Sequence, residues 1–204
     1  YCYKRLVLCR YIYNCLCCQE AISDVNVLVY KNIILLKGSI MYLGKRKFLN
    51  DSIEVAEYYS DMSSKDERAA DLLVKEKVYN QAAYFYIQAM EKRIKAQIAK
   101  KIDITKEYFA DEISKTMGHS LEKSLNLLIK IYTGNDTILA QQMENQLMKI
   151  MLKDVRFTTL HNGTRYPFFN REKANYSVIY LGKEDCMELK SMLESLELYL
   201  RDIK

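Results

Sequence analysis

One proline and six glycines in 204 residues leave this chain few places to stop a helix. Proline removes a backbone donor and glycine frees φ, so these two residues punctuate most folds. A chain poor in both is expected to fold into long helices with short connections. Its length suffices for one domain with a real core, or for one domain with an extension.

Apolar spacing places the helices. Asn50 or Asp51 caps a first one through about Met62, with Ile53, Ala56 and Tyr59 inward. Ser63–Ser64 then separate it from a second helix to about Val78, which opens on Asp66 and Glu67 and turns Ala69, Leu72, Leu73 and Val74 to the core. The strongest pattern is Asn80–Lys101, where Ala83, Ile87, Met90, Ile94 and Ile98 recur at helical spacing. Glu91 and Lys95 form an i,i+4 pair there, worth about 0.3 kcal/mol on a surface. A loosely patterned linker covers residues 102–118. Ser120 caps a helix to Tyr132 with Leu121, Leu125, Leu128 and Ile129 inward, although Lys123 stands where a capping-box acid belongs. Thr133-Gly134-Asn135-Asp136 is a turn. Thr137–Lys153 follows, with Leu139, Met143, Leu147, Ile150 and Met151 inward. Arg156–Tyr180 is the longest irregular stretch, holds the only proline and reads as a functional loop or lid. The last helix is Lys183–Arg201, with Met187, Leu189, Met192, Leu193, Leu196 and Leu200. One-sided helices bury their stripes against each other. The expected fold is therefore all-α, an up-and-down four- to five-helix bundle over residues 47–204, preceded by an irregular N-terminal extension, residues 1–46.

That extension has a different composition. Five of six cysteines fall in the first 18 residues, and residues 1–40 carry five basic residues against two acidic ones, a net +3 of the chain's +5. Cys-x-Cys-Cys lacks a second pair at zinc-finger spacing, so no metal or cofactor is expected. Arg10 interrupts the apolar stretch, which argues against a membrane span. Asn26–Tyr30 and Asn32–Leu36 read as short strands. The shift at Met41 reads as the true start, with residues 1–40 translated upstream sequence and not native protein. The body is nearly charge-balanced, contains only Cys186, and reads as reduced and cytoplasmic.

The run from Ala70-Asp71-Leu72 through Tyr79-Asn80-Gln81-Ala82-Ala83 to Ala89-Met90-Glu91-Lys92 and Lys95-Ala96 resembles the opening helices of HEPN domains (higher eukaryotes and prokaryotes nucleotide-binding). Gly118-His119-Ser120-Leu121 is similar to the family's lead into its third helix, and Thr164-Arg165-Tyr166-Pro167 to a loop of one branch. The features appear in the family's order from Ala70 to the last helix. Ser120 stands where the family usually has Asp, and Phe168-Phe169 where an acid usually follows the proline.

The resemblance implies an up-and-down helical bundle that binds a nucleotide or RNA, or a minimal nucleotidyltransferase partner, as a homodimer in a toxin–antitoxin or defence module. Its nucleotide- or RNA-binding residues would be His119, Arg165 and Tyr166. The alternative is a metal-independent ribonuclease toxin using Arg156-x4-His161, with His161 moving the 2′-hydroxyl or leaving-group proton and Arg156 bracing the phosphoryl oxygens. Arg165 is the other candidate for the catalytic arginine, although Asn170, Arg171 and Glu172 stand where its histidine would fall.

Overall fold

The helix at the centre of the fold is the one with the densest apolar pattern. A computed structural model of the chain describes residue 45, residues 47–114 and residues 118–203. The strands expected at Asn26–Tyr30 and Asn32–Leu36, and the start expected at Met41, lie outside the described residues. Phe48–Lys204 form one compact unit. In chain order it contains α1 (Ser52–Lys75), α2 (Tyr79–Lys101), α3 (Glu107–Glu112), α4 (Leu121–Thr133), α5 (Thr137–Glu144, continuing as a π-helical segment Asn145–Met151), α6 (Phe157–Gly163), β1 (Phe168–Asn170), β2 (Asn175–Ser177) and α7 (Lys183–Asp202). It is an all-α bundle with one small antiparallel hairpin. No described helix is long and apolar enough to cross a membrane.

α2 packs against α1, α4, α6 and α7. Ala83, Ile87, Met90, Ile94 and Ile98 are all buried on it, as the spacing predicts. They meet Leu125 and Leu128 of α4 and Leu193 and Leu196 of α7 in one cluster. Each such aliphatic side chain contributes about 1.5–3 kcal/mol by leaving water.

α1 corrects the expectation of two helices broken at Ser63–Ser64. It runs without interruption for 24 residues. Its buried positions are Ala56, Ser63 and Ala70, all small and seven residues apart, so α2 can approach closely. Ser63 is a seam residue, not a cap: its hydroxyl donates to the Ala89 carbonyl of α2 at 2.8 Å. In the first turn Ser52 takes the same role, donating to the carbonyls of Ala99 and Ile102. Because small residues hold the seam, Leu72 falls on the opposite side and is exposed, and Ile53 is exposed beside Ser52; both were expected inward. Asp51 caps α1 by accepting from Glu54 N–H. The turn into α2 places Lys77 at φ 61, with Val78 N–H donating to Leu73 and Lys77 N–H to Val74. This is a helix stop normally made by glycine.

Further along, Ser120 and Asp136 cap α4 and α5 with their side chains. The expected Thr137–Lys153 helix changes pitch after Glu144. An i→i+5 ring places residues five apart on one face, so Leu147 and Leu152 are both buried while Ile150 is exposed. Ordinary helical spacing predicts Ile150 inward, and the wider coil turns it outward. Leu139 and Met187, also expected inward, are exposed; Leu139 sits in the first turn of α5, and in α7 Cys186 and Leu189 take the buried positions around Met187. The linker 102–118 holds the short helix α3.

The stretch read as irregular, Arg156–Tyr180, carries α6 and the β1–β2 hairpin. α6 is anchored by Phe157, 1% exposed. It is also held by Glu122 of α4, whose carboxylate accepts from both the N–H and the hydroxyl of Thr158 at 2.8 Å. Burial raises the Glu122 pKa, but these bonds outweigh it and hold the carboxylate below its usual range. The hairpin pairs Phe168 with Ser177, Phe169 with Tyr176 and Asn170 with Asn175.

Candidate functional site

A polar stripe interrupts the apolar surface of α2. Gln88, Glu91 and Lys95 lie three and four residues apart on one face, and all three are buried. Lys95 Nζ contacts Glu91 Oε1 at 2.5 Å and donates to the Gly118 carbonyl at 2.8 Å. Lys95 thereby ties the segment before α4 to α2. The next residue, His119, is 85% exposed, yet its Nδ1 lies 3.8 Å from the same Glu91 oxygen.

His161 reaches this stripe from the last turn of α6. Its Nε2 is 3.3 Å from Gln88 Nε2, and that amide nitrogen is 3.4 Å from Glu91 Oε2. A carboxylate only accepts, so the Gln88 NH2 must face Glu91, and its second hydrogen points at His161. His161 Nε2 is then an acceptor, and the proton of the neutral ring sits on Nδ1. Burial lowers the His161 pKa, and the Arg165 guanidinium lowers it further. Asn162 and Glu91 act in the opposite direction without reversing the shift. At neutral pH the ring is uncharged.

Of the chain's two histidines, His119 therefore lies beside the buried Glu91 carboxylate, and His161 is linked to it through Gln88. Outside them lies Arg165. Its guanidinium sits 4.9 Å from the ring centres of both Tyr84 and Tyr166, and Nη2 donates to the Tyr166 hydroxyl at 2.9 Å. Tyr84 also lies against His161, with ring centroids 5.0 Å apart. Arg165 forms no ion pair among the described residues. It lines an open cleft of about 420 Å³ with Asn80, Gln81, Tyr84, Phe85, Thr164 and Tyr166. Asn80 builds one wall: its amide donates to Ile179 O at 2.7 Å and accepts from Leu181 N–H at 2.9 Å, holding the limb that returns from the hairpin against α2. Gly163 allows that approach, since a Cβ there would stand 2.5 Å from Ile179 Cδ1.

Of the residues singled out from the sequence, His161, Arg165 and Tyr166 lie together, and His119 joins them through Glu91. Arg156 lies apart. It occupies the N-cap position of α6, exposed, five residues and about 140° around the helix from His161. Its guanidinium has no hydrogen-bond or ion-pair partner among the described residues. Gln88 and Glu91 were not singled out as site residues. The signal for both was present: polar residues at helical spacing beside the apolar stripe of α2.

Chemically, the cleft offers a fixed cation, two aromatic faces and amide groups, a combination suited to a phosphate beside a base. Among the described residues no three His, Cys, Asp or Glu side chains come together as metal ligands. Cys186 is buried, donates to the Tyr79 carbonyl, and burial pushes its thiol up to about 11, so it is inert as a nucleophile. Searches of family models, curated proteins and solved structures return no match for this chain.

Proposed function

We propose that this chain is a HEPN-type helical module that binds a nucleotide, free or within RNA, at the Tyr84–Arg165–Tyr166 cleft. The observation that carries the reading is the Arg165 guanidinium, stacked on two tyrosines at the cleft and neutralised by no carboxylate among the described residues. Such a group is pre-positioned for phosphate, and the ring faces suit a base. Titration of the chain with ATP by calorimetry tests it. Arg165→Ala should weaken binding at least about tenfold, the loss expected for one charged hydrogen bond. An equal loss with Arg156→Ala, and none with Arg165→Ala, would move the site to the other end of α6.

The second reading is a metal-independent ribonuclease with His161 as general base. A neutral imidazole beside a guanidinium supports it. Arg165 suits the bracing role better than Arg156, because it lies beside His161. The reading requires Gln88 to release Nε2, whose lone pair faces inward. RNA integrity after induction of the chain, beside His161→Ala, separates the two readings: RNA cleavage lost with the substitution makes it an enzyme. A minimal nucleotidyltransferase partner, homodimerisation and a toxin–antitoxin or defence setting rest on the family resemblance; copurification and light scattering test the first two.

A further inference from the structure

The β1–β2 hairpin buries little of what it carries. Phe169 is 52% exposed and Tyr176 72%, and Tyr180, three residues beyond β2, is 85% exposed. Phe169 and Tyr176 are direct cross-strand partners, so they share one face, with ring centroids 5.4 Å apart. The connecting loop holds Arg171 and Lys173 against a single acid, Glu172, and all three are exposed. Neither basic group has an ion-pair partner among the described residues.

An isolated two-stranded hairpin is marginal in water, yet this one is held at its stem. Ile179 N–H donates to the Gly163 carbonyl at 3.4 Å, and Asn80 fixes residues 179 and 181 to α2. The anchor is the wall of the Arg165 cleft, and β1 begins two residues after Tyr166. Only about 14 Å of chain therefore separates Arg165 from Phe169 at full extension. Aromatic faces interleaved with unpaired cations, continuous with a phosphate-ready arginine, match an unpaired nucleic-acid strand, whose bases stack on rings while its phosphates meet the basic residues. A duplex hides the base faces this surface would use.

We propose that the hairpin extends the Arg165 cleft into a stacking platform for a single nucleic-acid strand; this rests on the cleft being a nucleotide site. Fluorescence anisotropy with a labelled ten-nucleotide RNA, the same DNA sequence and a blunt duplex, beside ATP calorimetry, tests it. The single strand binds at least tenfold tighter than ATP or the duplex, and the RNA and DNA arms show which sugar is preferred. Phe169→Ala with Tyr176→Ala removes most of that advantage, a loss of about tenfold or more, while circular dichroism verifies the fold. Arg165→Ala weakens strand and nucleotide alike. ATP binding with no gain for the strand, or a strand affinity untouched by the double variant, overturns the platform and leaves the cleft standing. No binding of ATP or strand overturns both. A dimer that the double variant dissociates, with strand affinity unchanged, makes the hairpin a protein interface and overturns the platform.

Discussion

Two polar clusters hang on α2, two residues apart and on opposite sides of the helix. On one side Tyr86 donates to Asp71 Oδ1 at 2.6 Å, and Lys190 of α7 reaches both Asp71 oxygens, at 2.7 and 2.9 Å. Burial raises the Asp71 pKa, but the bonds from Lys190 and Tyr86 outweigh it and hold the group below its ordinary range. On the other side Gln88 and Glu91 connect to His161 and His119, and Arg165 lies beyond, without an acid. The first cluster is closed: one carboxylate, one cation and one hydroxyl satisfy each other and tie α1, α2 and α7 together. The second leads outward to a cation that no carboxylate neutralises among the described residues. Polar groups on one helix can thus serve cohesion on one side and present an unsatisfied charge on the other. What separates them is the pairing, not the residue types.

The sharpest way to break the comparison is at Glu91. Glu91→Ala strands the Lys95 ammonium in a site where its side chain is 9% exposed. Removing one partner of a buried pair costs about 3–5 kcal/mol. Calorimetry should show Tm falling by about 10 °C, and His119 and His161 should lose their shared carboxylate, visible as shifted histidine resonances. Tyr86→Phe attacks the closed cluster more gently. Asp71 keeps Lys190, so the cost is about 1 kcal/mol in urea unfolding, one hydrogen bond's worth. Lys190→Ala is milder again. The pair is about a third exposed on both sides, so the expected loss is about 0.5 kcal/mol, shrinking in high salt.

The smallest effect is a pH dependence that separates the clusters. The lowered pKa of His161 makes its contribution complete above about pH 6.5, its ordinary value, and lost as pH falls toward the folded value. Asp71, lowered from 3.8, contributes fully above about that pH and loses its share only below it. Between pH 7.5 and 5.5 the wild type should therefore lose Tm more steeply than His161→Gln, while Lys190→Ala should follow the wild-type slope. Equal slopes for wild type and His161→Gln would show that His161 is not held neutral by its surroundings.

The start of α1 and the helices α2, α4 and α7 were legible because local chemistry fixes them. Scarce Pro and Gly, the caps Asp51 and Ser120, and the stripe through Ala83, Ile87, Met90, Ile94 and Ile98 act within a few residues of themselves. The hairpin was not legible: its strands are three residues each, and the limb returning from it is held by Asn80, about a hundred residues earlier in the chain. His161, Arg165 and Tyr166 were named from sequence motifs, but nothing local could say that Arg165 rather than Arg156 lies beside His161.

Sequence by itself determined that the body from about residue 50 is mostly helical and where its central helix lies, because capping and helical periodicity are short-range. Tertiary structure alone decided that Ser63 is a seam residue and not a break, since only the Ala89 carbonyl opposite gives its hydroxyl a partner. It also decided that Glu91–Lys95, legible as a surface pair, is buried, with Gln88 linking it to His161. Burial is a property of what packs above a helix, and that depends on residues far away in the chain.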